Sequence, residues 1–362
     1  MLITVFFLLI LLALAYLFLE GPQFGKAPAG ERLERIMRSP NFREGQFQNL
    51  NATPALTEGS TYRGVMYEFF LKRKRRNKPA APLPTRKVDL TQLNPSENVL
   101  AWFGHSSYFL QLDGKKFLVD PVFSGRASPV SFTTAAFKGS DVYTTGDLPF
   151  IDYLFLTHDH YDHLDFKTVQ ELKGKVGRVI TGLGVGAHLE HWGYDPAIIT
   201  ELDWGQDAQL DEGFTVHAAS ARHFSGRRFK RNNTLWISLV LRTPTKKIYI
   251  GGDSGYDTHF TSIGRAAGPF DLAILENGQY NAHWKYIHMM PEEVVQAAQD
   301  LQARMLLPVH WSKFSLAIHE WDEPINRVSA EASRKGLPLL HPMIGEAINL
   351  DDPQSTTWWK DL

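Results

Sequence analysis

The chain of 362 residues contains no cysteine. Disulfides, thiolate metal ligands and a cysteine nucleophile are therefore excluded, while the compartment is left open. It also has no excess of either charge. The 38 Lys and Arg against 39 Asp and Glu leave a formal net charge of −1, so no overall field draws in nucleic acid. Internal repeats are absent, and there is a single long hydrophobic run. What is present is a hydrophobic content of 43%, enough for a sizeable core, and 14 histidines that are unevenly spread.

The hydrophobic run occupies residues 2–19, with Thr4 and Tyr16 its only departures from aliphatic or Phe character. A helix of that length reaches about 27 Å, near the thickness of a bilayer core. A cleaved signal peptide wants basic residues before such a run and a small-residue site after it. Only Met1 precedes this one, and Glu20-Gly21-Pro22-Gln23 follows. Residues 1–20 are thus expected to be a single-pass transmembrane anchor. Lys26, Arg32, Arg35 and Arg38 lie on its C-terminal side, which places the catalytic region in the cytoplasm by the positive-inside rule. Residues 21–98 read as a poorly periodic arm. Its run Lys72-Arg73-Lys74-Arg75-Arg76 is either a solvated segment or a contact with an anionic membrane surface.

From residue 99 to about 350 the texture is that of one α/β domain, with residues 351–362 as a C-terminal tail. Strands are expected at 99–103, 108–112 and 117–119, with Asp113-Gly114 as a hairpin turn. Further strands are expected at 151–157, 178–181, 214–218, 235–242, 247–250, 272–275 and 305–309. Helices fall at 166–173, 185–192, 291–303 and 322–335. Pro291-Glu292-Glu293 makes a good first helical turn, with acids at the positive end of the dipole.

The chemistry is concentrated in Thr157-His158-Asp159-His160-Tyr161-Asp162-His163, directly after an apolar strand. His158 and His160 point to one side of an extended backbone. Asp162 and His163 follow a change of direction and can face a second ion. Imidazole and carboxylate are the ligands zinc accepts where thiolate is absent. Three more candidates follow apolar strands: His223, Asp253 after paired glycines, and His310.

In this order of ligands the sequence resembles the metallo-β-lactamase superfamily. The resemblance implies an αββα sandwich with two Zn2+ ions per chain at one edge of its sheets. By the same analogy His158, His160 and His223 hold one ion, Asp162, His163 and His310 hold the other, and Asp253 bridges them. The blocks Trp102-Phe103-Gly104-His105-Ser106-Ser107, Asp120-Pro121-Val122-Phe123-Ser124, Gly252-Asp253-Ser254-Gly255-Tyr256, Tyr286-Ile287-His288-Met289-Met290-Pro291-Glu292-Glu293 and His310-Trp311-Ser312-Lys313-Phe314 are similar to one subfamily. It contains the N-acyl phosphatidylethanolamine-hydrolysing phospholipase D and its bacterial relatives.

Two divalent ions outweigh the charge of Asp162 and Asp253, which suits an anionic ester such as a phosphodiester. The expected activity is zinc-dependent, phospholipase D-type hydrolysis of a membrane phospholipid, with Asp162, Asp253 and His288 as catalytic candidates. A lactone or small-ester hydrolase of the same fold is the alternative, and a non-catalytic metal-binding membrane scaffold is another. Asp120 is either a partner of a ligand histidine or a turn former. His288 is a proton donor, a headgroup ligand or a structural histidine. His105, Arg227 and Arg228 are weaker candidates of the same kind.

Overall fold

The computed structural model describes residues 2–71, 76–360 and 362. The N-terminal region forms helices α1 (Leu2–Leu19), α2 (Gly30–Met37) and α3 (Tyr62–Leu71), with a minimal hairpin of β1 (Phe42–Arg43) and β2 (Gln46–Phe47) between the last two. The first sheet is then built from β3 (Val99–Trp102), β4 (Tyr108–Leu112), β5 (Lys115–Val119), β6 (Ile151–Leu156), β7 (Val176–Gly182) and β8 (Ile199–Leu202), with α4 (Phe166–Leu172) and α5 (Gly186–His191) inserted. The second holds β9 (Asp207–Asp211), β10 (Phe214–Ala219), β11 (Ser238–Arg242), β12 (Lys247–Ile250), β13 (Leu272–Glu276) and β14 (Leu306–Val309). Helices α6 (His259–Ala267), α7 (Pro291–Asp300) and α8 (Glu323–Lys335) accompany it, and β15 (Ala347–Asn349) returns to the edge of the first sheet, beside β3.

Strand alternation sorts the side chains into layers. Leu100 and Trp102 of β3, Leu110 of β4 and Phe155 of β6 share one buried cluster with Val216, Leu239, Ile250 and Leu307 of the other sheet. Ala101, Phe109, Leu154 and Leu156 face the opposite way and pack with Val169, Leu172 and Leu189 of α4 and α5. Residues α7 and α8 contribute, Val295 and Val328 among them, join the cluster of the second sheet. The result is a mixed α/β sandwich with helices outside both sheets, each fully buried aliphatic or Phe side chain contributing roughly 1.5–3 kcal/mol. The Asp113-Gly114 turn closes β4 onto β5, both residues at positive φ (47° and 81°), as that tight connection requires. The pairs β5–β6, β6–β7, β12–β13 and β13–β14 are parallel, so several strands end side by side on one edge.

One expectation needs correction, and a second falls with it. Residues 2–19 do form a helix, with side chains such as Ile3, Phe6 and Leu12 exposed, but the transmembrane anchor is not supported. Among the described residues no helix is long and apolar enough to cross a membrane. The run stops at Leu19 before Gly21-Pro22, so its 18 residues lie at the short end of what a bilayer span needs. The cytoplasmic placement rested on that span and loses its basis with it. The arm packs onto the body. Ile36 and Phe47 are fully buried, and Arg32 donates to Glu201 at 2.8 Å and to Glu190 at 2.9 Å. The C-terminal tail is folded in as well, with Trp358 and Trp359 buried against Trp311. Of the basic run, residues 72–75 lie outside the described residues, and Arg76 pairs with Glu320 and Asp322.

Arg32→Ala should lower stability by about 1–3 kcal/mol, because it leaves the carboxylate of Glu201, a buried residue, without its cationic partner. The check is a thermal melt of the full chain. An unchanged midpoint would mean that the arm adds nothing to the stability of the body.

Candidate active site

Asp120, at the end of β5, fixes the loop that follows β6. Its Oδ1 accepts from the Thr157 amide at 2.8 Å, and its Oδ2 accepts from the Thr157 hydroxyl at 2.6 Å. The same Oδ2 accepts from His163 Nδ1 at 2.8 Å. Of the two roles open to Asp120, the structure thus favours the partner of a motif histidine over the turn former.

These bonds decide which imidazole nitrogens keep a lone pair. The Thr157 hydroxyl spends its one hydrogen on Asp120, so it accepts from His158 Nδ1 at 3.0 Å. His158 Nε2 is then unprotonated. His223 Nδ1 donates to the Ile287 carbonyl at 2.9 Å, which frees His223 Nε2 likewise. Both lone pairs converge on His160 Nδ1, at 2.9 and 3.2 Å. That nitrogen has at most one hydrogen to offer, so the trio cannot satisfy itself, whereas a cation satisfies all three. Burial, with His160 nearby, holds the His158 and His223 imidazoles well below their ordinary range. His163 gives its Nδ1 hydrogen to Asp120, and its Nε2 is buried with no hydrogen-bond partner.

Asp253 stands between two groups of donors. Its Oδ2 lies 3.2 Å from His163 Nε2, 3.7 Å from His223 Nε2 and 3.8 Å from His158 Nε2, while Oδ1 lies 3.3 Å from His310 Nδ1. Burial works against the Asp253 carboxylate, but the imidazoles of His163 and His310 outweigh it and hold its pKa well below the usual range. The donor atoms of His158, His160, His223 and Asp253 lie within 4.8 Å of one another, and so do those of His105, Asp162, His163 and His310. The chemistry of both sets fits a metal cation.

The backbone is shaped to bring these groups close. Gly252 has φ of 60°, and a Cβ there would sit 2.9 Å from the Thr157 side chain, so glycine lets the end of β12 meet the end of β6. His105, His310 and Ser312 also hold positive φ, a strain that persists where the surroundings dictate it. Here they do: His310 N donates to the His105 carbonyl at 2.9 Å, and His105 N donates to that of Trp311 at 2.8 Å.

Above the cluster is a cavity of about 510 Å³. His160, Asp162, His223, Asp253, His288 and His310 reach it. Leu56, Tyr62 and Val65 of the arm and Phe224, Trp284, Ile287 and Leu316 of the body make apolar walls.

The description "Beta-lactamase superfamily domain" matches residues 115–311, more than half of the chain. The chain belongs to this superfamily. It is a metal-dependent hydrolase, which sets aside the scaffold alternative. An uncharacterised protein of Mycobacterium tuberculosis is 41% identical over 329 residues, 89% of this chain and 88% of its own. N-acyl-phosphatidylethanolamine-hydrolyzing phospholipase D 1 of Caenorhabditis elegans is 30% identical over 255 residues, 66% of this chain and 71% of its own. A metallo hydrolase from the archaeon Ignicoccus hospitalis has the same fold, with a TM-score of 0.54 at 19% identity over 69% of this chain and 97% of that one.

In this hydrolase the seven residues read from the sequence meet at one place, and His105 joins them with Nε2 2.9 Å from Asp162 Oδ2. His288 faces the same cavity, its ring centroid 5.1 Å from that of His223 and 5.3 Å from that of His310. Arg227 does not line this cavity. It is buried and donates to the carbonyls of Asp159, Leu164 and Gln23, so it ties the motif loop to the arm. Arg228 pairs with Glu20 at 3.0 Å, with a third of its side chain exposed. Sequence reasoning missed Asn49, which donates to the His223 carbonyl at 2.8 Å and accepts from the His223 amide at 3.0 Å. It also missed Glu276, a carboxylate at the end of an otherwise apolar strand, and that position was the available signal.

Asp120→Asn should lower metal affinity roughly 10–100-fold. An amide in place of Oδ2 cannot accept from both Thr157 and His163, so His163 loses the hydrogen bond that keeps Nε2 free. Metal titration of the refolded variant followed by elemental analysis is the check. Wild-type affinity would remove Asp120 from this role.

Proposed function

We propose that the chain is a binuclear zinc phosphodiesterase that cleaves N-acyl phosphatidylethanolamine, or a related membrane phospholipid, in the manner of a phospholipase D. The observation that carries this reading is the position of Asp253, within reach of both donor groups at the floor of an apolar-walled cavity. His158, His160 and His223 would hold one Zn2+, Asp162, His163 and His310 the other, and Asp253 both. Bound there, zinc supplies Lewis acidity toward phosphoryl oxygens and acidifies water near neutral pH.

The residues of the chain divide the remaining work. The carboxylates of Asp162 and Asp253 would offset only part of the charge of two divalent cations and leave the centre net positive, which suits the charge of a phosphodiester. His288 gives a proton to the leaving alkoxide oxygen. Its position supports this: the ring faces the cavity between those of His223 and His310, with the buried Glu276 carboxylate behind it. Leu56, Val65, Trp284 and Ile287 offer acyl chains a dry surface beside the polar floor. The named activity of the C. elegans relative supports the same substrate class. The exposed Tyr62, Met66 and Phe70 follow one another at helical spacing on α3, and a basic run comes next in the sequence. Both favour contact with an anionic lipid surface and require no spanning segment.

Two measurements test the reading. Elemental analysis after reconstitution should give close to two zinc ions per chain, and one or none sinks the binuclear assignment. Incubation with a mixed phospholipid extract in oxygen-18 water should yield labelled phosphatidic acid, because water attacks phosphorus and the headgroup alcohol leaves. Diacylglycerol as the lipid product, or label in the headgroup, contradicts this cleavage. Rapid opening of a lactone with no phospholipid turnover would replace the lipid with a small soluble ester.

A further inference from the structure

Glu276 is the last residue of β13, and all five side chains of that strand are buried. A carboxylate in such a place is unusual unless both oxygens are occupied. Oε1 is occupied: it accepts from the Met289 amide at 2.6 Å. Oε2 is buried without a hydrogen-bond partner, and the nearest imidazole nitrogen is His288 Nδ1, 3.5 Å away and likewise unpartnered. The Met289 amide belongs to the residue after His288, so one short segment fixes the carboxylate and the ring together. The ring is further confined between His223 and His310. A buried carboxylate facing Nδ1 favours the form with hydrogen on that nitrogen, and this leaves Nε2 as the nitrogen that serves the cavity.

We propose that Glu276 is the positioning residue for His288, holding the Nδ1 hydrogen so that Nε2 is presented to the leaving group. The proposal rests on the reading of His288 as proton donor. In the step, the His288 imidazolium transfers its Nε2 hydrogen to the leaving alkoxide oxygen as the phosphorus–oxygen bond breaks. The ring is left neutral, with its Nδ1 hydrogen toward Glu276, and the proton lost by the attacking water restores the imidazolium. Glu276 itself neither gains nor loses a proton in the cycle. Nothing in the sequence blocks that resemble the phospholipase subfamily includes this residue, which lies in Leu272-Ala273-Ile274-Leu275-Glu276.

The alternative is that Glu276 only satisfies the Met289 amide. Glu276→Gln separates the two, because its amide oxygen still accepts from Met289 while the charge is lost. Turnover is compared on two phosphodiesters: N-acyl phosphatidylethanolamine in detergent micelles, whose alkoxide needs a proton to leave, and bis(4-nitrophenyl) phosphate, whose nitrophenolate does not. The variant should lose kcat about tenfold or more on the lipid, with KM, zinc content and thermal midpoint unchanged, and should lose little on the nitrophenyl ester. His288→Ala should show the same substrate dependence, and the double variant should be no slower than His288→Ala alone. Nitrogen-15 NMR of the histidines should show His288 with hydrogen on Nδ1 in the wild type and a mixture of tautomers in Glu276→Gln. A silent Glu276→Gln, a double variant slower than His288→Ala, equal losses on the two esters, or loss of zinc overturns the proposal. Normal lipid turnover by His288→Ala overturns the donor role of His288 instead, and the NMR tautomer then decides separately whether Glu276 holds the ring.

Discussion

The rest of the structure depends on one arrangement: imidazole nitrogens and two carboxylates converge at the floor of a cavity, most of them buried. His158 and His163 come from the loop after β6 of one sheet, and Asp253 follows β12 of the other. The cluster therefore spans the seam between the sheets. Without a cation it is costly, because His160 Nδ1 can satisfy at most one of the two imidazole nitrogens that approach it at about 3 Å, and Asp253 Oδ1 has no hydrogen-bond donor. A cation reverses the sign of these contacts and fastens the two sheets together, so metal binding and stability are coupled in this fold.

The chain meets this demand with backbone geometry as much as with side chains. Left-handed residues at His105, Asp120 and His310 direct three loops into one place, and hydrogen bonds between those loops leave them little freedom to relax. Much of the support comes from residues outside the ligand set. Asp120 orients His163, Asn49 grips both backbone groups of His223, and Arg227 bridges the motif loop to the carbonyl of Gln23. Two of these contacts lie in the N-terminal arm, which for that reason belongs to the active site as well as to the fold.

The sequence made some of this legible and concealed the rest for physical reasons. Strands such as Tyr108–Leu112 and Lys247–Ile250 were readable because they are short apolar segments bounded by turn residues. The site residues were readable because each follows such a strand, and that position carries meaning without any knowledge of the partner strand. Helix α3 and the short strand Asp207–Asp211 were not readable. Tyr62–Leu71 has apolar side chains on more than one face, some of them exposed, and Asp207–Asp211 is half polar. The contacts of the arm were not readable because Arg32 and Asn49 find partners more than 150 residues away, and no local periodicity records such a contact. The N-terminal run was misjudged on length, since apolarity alone does not decide whether a helix crosses a bilayer.

The cavity is uneven in a way that bears on its chemistry. One side is the charged floor, and the other is apolar surface supplied partly by Leu56, Tyr62 and Val65. On the proposed reading an amphiphile would use both surfaces at once, its phosphoryl group on the floor and its chains along the arm, whereas a small soluble ester would gain little from such a wall. Binding energy collected on the wall, away from the reacting bond, would then serve to hold that bond against His288. His288 lies where the two surfaces meet, next to Ile287 of the wall and stacked on His310 of the floor. On that reading the buried carboxylate behind His288 has a physical purpose, because a ring free to turn would lose the alignment that the distant contacts secure.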